Sequence, residues 1–262
     1  MITVLTPTYN RAYILERVFQ CLQQQTDRQF EWLVVDDGST DATEELVRGW
    51  TGQADFSVRY VHQKNGGKHI AINTGAVQAA GDWVLILDSD DALSDDAIAA
   101  IRLAIADHAA PDLAGVCFRK SHFSGGLIGE SKPLEPKQFL HPTAAGHLLK
   151  GDLAYVFKRS SLLAHPFPVI PGEQFVPELY IWNKIGDAGR ILFMTMQSIY
   201  LCDYLPDGYS KNFLQNLRRN PQGFLTYYRS QFSREKIGLQ KLKCAVRSLQ
   251  CLYYALMKKN SV

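Results

Sequence analysis

Three aspartates stand within four residues at the end of an apolar run in the segment GDWVLILDSDDAL: Asp88, Asp90 and Asp91. Carboxylates this close repel one another unless water or a cation neutralises them. Hard oxygen ligands suit Mg²⁺ or Mn²⁺, and a divalent ion with open positions would hold substrate phosphates. The spacing therefore predicts a metal site. An acidic turn at a strand end is the alternative, because Asp-x-Asp by itself is a weak signal.

The chain that must position these aspartates alternates short apolar runs with helical periodicity, which is typical of βαβ units building a mostly parallel sheet. In such a sheet, ligands bind beyond the carboxyl ends of the strands. Each of the first four predicted strands is followed by polar residues, which are Thr6–Asn10, Asp36–Asp41, Lys64–His69 and the aspartates above. Because these segments agree in position, we expect them to form one site.

The second and third segments offer different chemistry. A carboxylate such as Asp36 or Asp37 at a strand end can accept hydrogen bonds from a ribose hydroxyl or from the N–H edge of a base, although an acidic turn is the alternative. Gly66 and Gly67 let the backbone approach a ligand closely, and Lys68 offers a cation to phosphate. The spacing of a Walker loop or of GxGxxG is lacking, so ATPase and dehydrogenase functions lose their main support.

The later part of the chain is less regular. From residue 121 to about 177 many Gly and Pro residues predict loops and short strands around a site. A short helix is expected near Leu179–Ile185, strands at Ile191–Met194 and Ser198–Tyr204, and helices from Phe213 onward. In the last helix an apolar stripe repeats at steps of four and three, which predicts docking on its own domain or on a partner: Leu242, Val246, Leu249, Tyr253 and Leu256.

Charge is distributed unevenly along the chain. From Lys211 onward there are 11 Lys or Arg residues against the single acid Glu235, whereas residues 1–210 carry 17 against 25. The asymmetry favours contact of the tail with an anionic membrane surface or an acidic partner, with a solvated helix face as the alternative. The acidic body and the absence of a recognisable module speak against nucleic acid as a partner.

Cysteine usage and hydropathy indicate location. Five cysteines without CxxC or CxxH pairing are typical of a reducing compartment. The opening MITVLTP is interpreted as a first strand and not as a signal peptide, and no apolar run approaches the roughly 20 residues that span a bilayer. We therefore expect a cytoplasmic protein, either free or peripheral on the inner face of the membrane. Whether it forms a homo-oligomer is left open.

Several segments together resemble family 2 glycosyltransferases with the GT-A fold. They are Pro7–Asn10, Val35–Asp41, Asn73-x-Gly75 with Ala80–Asp82, and Leu87–Asp91, and they cover about residues 1–120 in the family's order and spacing. Gly172–Glu178 followed by Trp182 is similar, more loosely, to the family's acceptor-side segment. Two positions depart from the pattern. Ile72 stands where many relatives have Arg, and Asp207 lies in the late loop where a His is common.

The resemblance implies an α/β GT-A fold with a mostly parallel central sheet flanked by helices and a helical C-terminal appendage. It divides the chain into a glycosyltransferase domain at 1–210 and a basic helical tail at 211–262. Within the domain, 1–120 would be the nucleotide-sugar-binding half and 121–210 the acceptor-side half. The implied reaction is inverting transfer from a nucleotide-diphosphate sugar, with UDP favoured, assisted by Mn²⁺ or Mg²⁺. The expected acceptor is a glycan or lipid-linked hydroxyl in cell-envelope polysaccharide biosynthesis.

The resemblance also implies roles for residues. Glu178 aligns with the general base, with Glu173 as its rival. Asp37 would recognise the nucleobase of the donor. Asp88 and Asp90 would hold the ribose and the metal-bound diphosphate, with Asp91 as an additional metal ligand. Without the Arg before Asn73, diphosphate binding falls to Lys68 or to a tail residue such as Lys211. The remaining donor-side residues are Pro7, Thr8, Tyr9, Asn10 and Asn73.

Two other functions have less support in the sequence. A sugar-phosphate nucleotidyltransferase would need a Gly-rich first loop with Arg and Lys, which Pro7–Arg11 does not provide. A degenerate nucleotide-sugar-binding scaffold that recruits a partner through the basic tail would need neither the aspartates nor Glu178.

Overall fold

The structure, a computed structural model, describes residues 1–203, 212–236 and 238–259. The first part of the chain alternates strands and helices as the apolar pattern predicted. Its elements are β1 (Ile2–Thr8), α1 (Ala12–Gln23), β2 (Phe30–Asp36), α2 (Thr43–Thr51), β3 (Ser57–His62), α3 (Lys68–Gln78), β4 (Trp83–Ile86), β5 (Ala92–Leu93) and α4 (Ala97–Asp107).

Strands β3, β2, β1 and β4 lie side by side and are parallel. In this register Thr8 pairs with Asp36, and Asp36 pairs with His62, so the strands end at one edge. β1 and β2 are buried along their whole length, which explains their nearly continuous apolar sequence. The sheet therefore brings the predicted polar segments to a common edge.

The second part of the chain is more regular than its sequence indicated. Its elements are β6 (Leu113–Ser121), β7 (Lys137–Phe139), α5 (Pro142–Leu149), β8 (Leu153–Lys158), α6 (Arg159–Ala164), α7 (Leu179–Ala188), β9 (Arg190–Leu201), α8 (Phe213–Arg219), α9 (Pro221–Arg234) and α10 (Gly238–Lys259). The region 121–177, predicted as loops and short strands, thus contains two helices and β8. The two strands predicted between 191 and 204 are one strand, β9, whose pairing with β6 shifts register between Phe118 and Arg119.

Within the described residues, nine strands form one mixed sheet in the order β3-β2-β1-β4-β8-β6-β9-β5, with β7 beside β9. The first four strands form the expected parallel part. β8 runs antiparallel between β4 and β6, while β6 and β9 are parallel. Apolar side chains fill both faces, with Phe19 stacked on Trp50 at 4.8 Å on one face and Phe157 against Trp182 at 4.7 Å on the other. The architecture is a central sheet flanked by helices with a helical C-terminal portion, as predicted.

The C-terminal helices pack on α5 and α7. Gln231 of α9 lies buried between α5 and α7, where its Oε1 accepts a 2.8 Å bond from Asn183 and its Nε2 donates to Thr143 at 3.2 Å. Oε2 of Glu235 lies at hydrogen-bond distance, 2.8 Å, from Nε2 of His147. A separate apolar cluster joins α8, α9 and α10 through Leu217, Phe224, Leu225, Tyr228, Cys244 and Cys251. These contacts attach the basic tail to the body.

Of the two alternatives predicted for the apolar stripe of α10, docking on its own domain is wrong, because the stripe is exposed, with relative exposures from 54% at Val246 to 67% at Leu249. Docking on a partner stays a prediction. Cys244 and Cys251 of the same helix are the ones buried. All five cysteines are free and buried. No helix among residues 1–203, 212–236 and 238–259 is both long and apolar enough to cross a membrane.

Candidate active site

The ammonium group of Lys68 lies between two carboxylates that come from distant parts of the chain. Its Nζ is 2.6 Å from Oδ1 of Asp88 and 2.7 Å from Oε1 of Glu178. Lys68 begins α3, Asp88 follows β4, and Glu178 immediately precedes α7. A predicted phosphate-binding cation, a predicted metal carboxylate and the predicted base therefore meet at one point.

Burial and charge act against each other at this point. Burial alone would lower the pKa of Lys68, but Asp88 and Glu178 outweigh it and raise this pKa well above its usual range. Burial would raise the pKa of Asp88, yet Lys68 and Lys120 hold it below its usual range. Lys68 and Asp88 are consequently both charged at neutral pH.

Lys120 and Tyr200 belong to the site although no sequence motif marked them. Lys120 of β6 places Nζ 3.7 Å from Oδ2 of Asp91 and 3.8 Å from the centre of the Tyr200 ring. The Tyr200 hydroxyl accepts a 2.9 Å bond from the backbone N–H of Asp88 and also bonds the Asp91 side chain. Both residues reach the aspartates because β6 and β9 are parallel neighbours. A lysine on a mostly apolar strand was the only available signal.

The ionised forms of the other two aspartates, Asp90 and Asp91, are destabilised by their surroundings. Burial and the neighbouring Asp88 raise the pKa of Asp91 to about 7, with Lys120 opposing them. Burial and Asp88 also raise the pKa of Asp90. Asp91 is buried and bonded within the protein, whereas Asp90 is half-buried. Additional positive charge near Asp88 and Asp90 would relieve this repulsion.

The fit of these residues to a divalent ion can be judged from the donor set. No group of three or more His, Cys, Asp or Glu side chains converges as a metal site in the part of the chain that the structure describes. Mg²⁺ usually binds through one or two carboxylates together with substrate phosphates and water, and not in a cage made only by protein. Asp88 and Asp90 fit that mode, in which the phosphates of a substrate complete the coordination.

The residues after β1 lie at the same edge of the sheet. Pro7 and Thr8 end the strand, and the Thr8 hydroxyl is buried without a hydrogen-bond partner among the described residues. The Tyr9 side chain is half exposed. Asn10 has a left-handed backbone with φ of 52°, and its Oδ1 accepts the N–H of Thr40 at 2.8 Å. Asn10 therefore joins the loop after β1 to the loop after β2.

Asp37 organises the glycine turn that precedes Lys68. Its buried carboxylate accepts hydrogen bonds from Gln63 Nε2 at 2.7 Å and from the backbone N–H groups of Gly66 and Gly67 at 2.8 and 2.7 Å. These bonds hold the start of α3, which presents Lys68 to the site. Recognition of the donor nucleobase by Asp37 stays a prediction.

Asn73 bonds a loop and not the charged cluster. Its side-chain amide donates to the carbonyl of Phe167 at 2.9 Å and accepts the N–H of Phe167 at 2.8 Å, so it holds the loop after α6 against α3. Ile72 beside it is buried in the core. Lys68, four residues before Ile72 on the same helix, supplies a cation at the site. Lys211 and Asp207 lie outside the described residues.

The two candidate bases have different partners. Glu173 is buried and accepts the backbone N–H groups of Gln222 and Gly223, at 2.9 and 2.8 Å, at the start of α9. Free N–H groups at a helix start favour a negative charge there. Glu178 instead faces Lys68 across the cleft. Among the two, Glu178 is therefore the carboxylate at the site.

Residues 172–178, which we call the base segment because they contain both candidate bases, are held on both sides by close backbone contacts. A Cβ on Gly67, whose φ is +92°, would lie 2.0 Å from the carbonyl oxygen of Gln174. One on Gly223 would lie 2.2 Å from that of Phe175. Glycine at both positions lets α3 and α9 approach this segment closely. The cleft beside it is lined by Lys68, Ile86, Asp88, Lys120, Leu153, Tyr155, Glu178, Trp182 and Tyr200.

Curated relatives share both short and long segments with this chain. Glycosyltransferase GlyA of Streptococcus pneumoniae serotype 4 is 34% identical over 109 residues, which are 42% of this chain but only 16% of that protein. The next two relatives are matched over 16% of their length as well. GalNAc(5)-diNAcBac-PP-undecaprenol beta-1,3-glucosyltransferase of Campylobacter jejuni is 26% identical over 274 residues, covering 99% of this chain and 84% of that protein.

Solved structures match the fold over nearly the whole chain. TarS of S. aureus has a TM-score of 0.62 at 19% identity, covering 97% of this chain and 71% of its own. The mannosyltransferase PcManGT of Pyrobaculum calidifontis, solved with GDP-Man and Mn²⁺, has a TM-score of 0.63 at 21% identity, covering 100% and 75%. These similarities show that this chain has the same fold as both solved structures.

The family model described as Glycosyl transferase family 2 matches residues 3–141, more than half of the 262 residues, and confirms the predicted resemblance. The matched part contains the loops after β1, β2 and β3 and the aspartates after β4. This chain therefore belongs to glycosyl transferase family 2.

Proposed function

We propose that the protein is an inverting glycosyltransferase that moves a sugar from a nucleotide-diphosphate sugar to a hydroxyl of a glycan or lipid-linked acceptor in cell-envelope polysaccharide biosynthesis. The observation that carries this proposal is the bridge from Asp88 through Lys68 to Glu178. It joins a donor-side carboxylate to a carboxylate on the acceptor side by a single cation. Transfer from a diphosphate sugar to a hydroxyl needs a group that binds the diphosphate and a group that accepts the proton of the hydroxyl, both beside the same cleft.

The chemistry follows from charge. Lys68 binds the diphosphate of the donor, and its ammonium group stabilises the negative charge that develops as the bond between the anomeric carbon and the phosphate oxygen breaks. Glu178 accepts the proton of the acceptor hydroxyl while that oxygen attacks the anomeric carbon from the opposite face. The electron pair leaves with the diphosphate, and the configuration inverts. Mn²⁺ or Mg²⁺, bound by Asp88 and Asp90, would supply further charge stabilisation to the diphosphate.

The relatives support particular substrates. TarS was solved with UDP and with UDP-GlcNAc, whereas PcManGT was solved with GDP-Man and Mn²⁺. The name of the Campylobacter jejuni relative describes a glucosyltransferase whose acceptor is linked to PP-undecaprenol. Because that match covers nearly the whole chain, it favours a lipid-linked acceptor, and TarS favours UDP.

Calorimetric titration tests the donor side. The protein is titrated with UDP, GDP and CDP, each with Mn²⁺ and with chelator, and the series is repeated with Asp90→Ala. We expect one nucleotide to bind in the presence of Mn²⁺ and this binding to be lost in the variant. If that nucleotide binds but the sugar of the corresponding nucleotide sugar is neither hydrolysed nor transferred, a degenerate nucleotide-sugar-binding scaffold is favoured instead. Equal binding with chelator and in Asp90→Ala would contradict the role given to the metal.

A further inference from the structure

Helix α10 carries apolar residues on two opposite faces. Cys244 and Cys251 are buried against α9, in the cluster that also contains Leu225 and Tyr228. The opposite face bears the stripe Leu239, Leu242, Val246, Leu249, Tyr253 and Leu256, of which each member is more than half exposed. A helix that is apolar on both faces is normally covered on both. Covering only one leaves a long apolar strip open to solvent.

The charge of the helix indicates what covers the strip. Residues 238–259 contain five basic residues and no acid, namely Lys241, Lys243, Arg247, Lys258 and Lys259. Consecutive helical residues differ by about 100° around the axis, so Lys241 and Lys243 project to either side of Leu242. Leucines along one face with basic residues at its margins are typical of helices that lie in the interface of an anionic membrane.

A second copy of the chain is the competing occupant, because steps of three and four along the stripe also suit pairing of two helices. Such a pair would combine ten basic residues with no acid from the two copies of α10, since the sequence of each copy contributes five. Like charges of this density oppose association, whereas negatively charged lipids are attracted by them. Charge complementarity therefore favours the lipid surface.

We propose that the exposed face of α10 docks on the surface of an anionic lipid bilayer, with the apolar stripe in the interface and Lys241 and Lys243 at the level of the head groups. The same helix is tied to the base segment, because Nζ of Lys258 donates to the carbonyl oxygens of Gly172 and Arg219, both at 2.9 Å. Docking would thus hold the acceptor side of the cleft next to the membrane. The surface does not depend on the identity of the donor or of the acceptor.

Vesicle sedimentation of the full chain tests the proposal. The vesicles are phosphatidylcholine alone or phosphatidylcholine mixed with phosphatidylglycerol, and neither donor nor acceptor is present. We expect binding to the anionic vesicles to exceed binding to the neutral ones by roughly tenfold or more. Leu249→Asp, in the middle of the stripe, and the double change Lys241→Gln with Lys243→Gln should each reduce it by a similar factor.

The matched control is Leu103→Asp on α4, where the leucine is 63% exposed, close to the 67% of Leu249. This variant should bind anionic vesicles like the unchanged protein. Unaltered thermal unfolding and UDP titration in all variants separate loss of docking from loss of folding. The proposal is overturned if the unchanged protein ignores both vesicle types or if Leu249→Asp binds as well as Leu103→Asp. It is also overturned if sedimentation of the protein without vesicles shows that the unchanged protein is a dimer and that Leu249→Asp is a monomer.

Discussion

At the scale of single residues, two side chains of the same type have different roles because their neighbours differ. Glu173 and Glu178 are five positions apart, yet one receives two backbone N–H groups of α9 and the other faces the ammonium of Lys68. The first arrangement stabilises a helix start, and the second places a carboxylate beside a cleft, where we propose that it accepts a proton. Sequence distance alone does not separate these roles.

Exchange of each glutamate for glutamine tests the assignment. Glu178→Gln should lower kcat by about 10²–10⁴-fold, because the amide cannot take the proton of the acceptor, while the unfolding temperature changes little. Glu173→Gln should leave more activity in the folded fraction but lower the free energy of unfolding by about 1–3 kcal/mol, because one backbone N–H of α9 loses its acceptor. The readouts are initial rates and urea unfolding of both variants. The opposite pattern would make Glu173 the base.

At the scale of elements, Glu31 of β2 joins four pieces of the parallel sheet. Its carboxylate accepts from Thr3 of β1 at 2.5 Å, from the backbone N–H of Ala80 before β4 at 2.6 Å, and from Arg59 of β3 at 3.0 Å. Burial alone would raise the pKa of Glu31, but these three partners outweigh it and hold the pKa below its usual range. The ionised carboxylate is therefore part of the folded sheet.

This lowered pKa sets the direction of a pH dependence. The folded state binds the proton of Glu31 less readily than the unfolded chain, so the stabilisation is present above the unfolded pKa of about 4.3 and is lost as the pH falls through the folded value. Glu31→Gln should cost about 2–4 kcal/mol of unfolding free energy at pH 7. Urea unfolding at pH 7 and near pH 3 measures it. The gap between the two proteins should narrow at the lower pH, and a constant gap would contradict the assignment.

A second element-scale prediction concerns the contact of α9 with the base segment. Gly223→Ala would bring a methyl group 2.2 Å from the carbonyl oxygen of Phe175, so the backbone of one of them must shift. We expect a loss of about 1–3 kcal/mol in unfolding free energy, together with reduced kcat, because Glu178 lies in the displaced segment.

Gly146→Ala is the matched helical control. Gly146 lies within α5, and nothing stands within 4 Å of an added Cβ there. Alanine should therefore stabilise the protein, by up to about 1 kcal/mol. Equal effects of the two substitutions on urea unfolding would show that α9 does not press on the base segment as described.

At the scale of the whole molecule, contacts cross the predicted boundary near residue 210. Gln231 of α9 forms hydrogen bonds with Asn183 of α7 and Thr143 of α5, both of which are buried polar residues. Glu173 and the base segment likewise have partners in α9. The tail is thus a structural support of the cleft, in addition to any part it has in docking.

Removal of the tail should therefore affect more than membrane contact. A chain ending at residue 203 should unfold at a temperature lower by more than about 5 °C, or fail to fold, because apolar surface and paired polar groups become exposed. The comparison is Leu249→Asp in the full chain, which should keep its unfolding temperature. Calorimetric unfolding of both proteins distinguishes the two effects. An unchanged unfolding temperature in the shortened chain would mean that the tail contributes little to the body.

Much of the donor-side edge could be predicted because its signals are local. Apolar runs followed by polar residues required parallel strands, and parallel strands end at one edge. Asp88 and Lys68 were found in this way. Lys120 and Tyr200 were not, because their approach to the aspartates depends on β6 and β9 pairing across many intervening residues. The elements between residues 121 and 177 were also hidden, since Gly and Pro there mask the strand and helix periodicities.

Residue type and short-range spacing were enough to predict the family, the parallel half of the sheet, the carboxylates at its edge and the basic charge of the tail. Three features emerged only when the whole chain was folded: Glu178 and not Glu173 lies beside Lys68, Lys68 lies between two distant carboxylates, and the stripe of α10 faces outward. Periodicity shows that a helix has an apolar face but not which neighbour that face meets. That choice depends on which surfaces pack when the whole chain is folded.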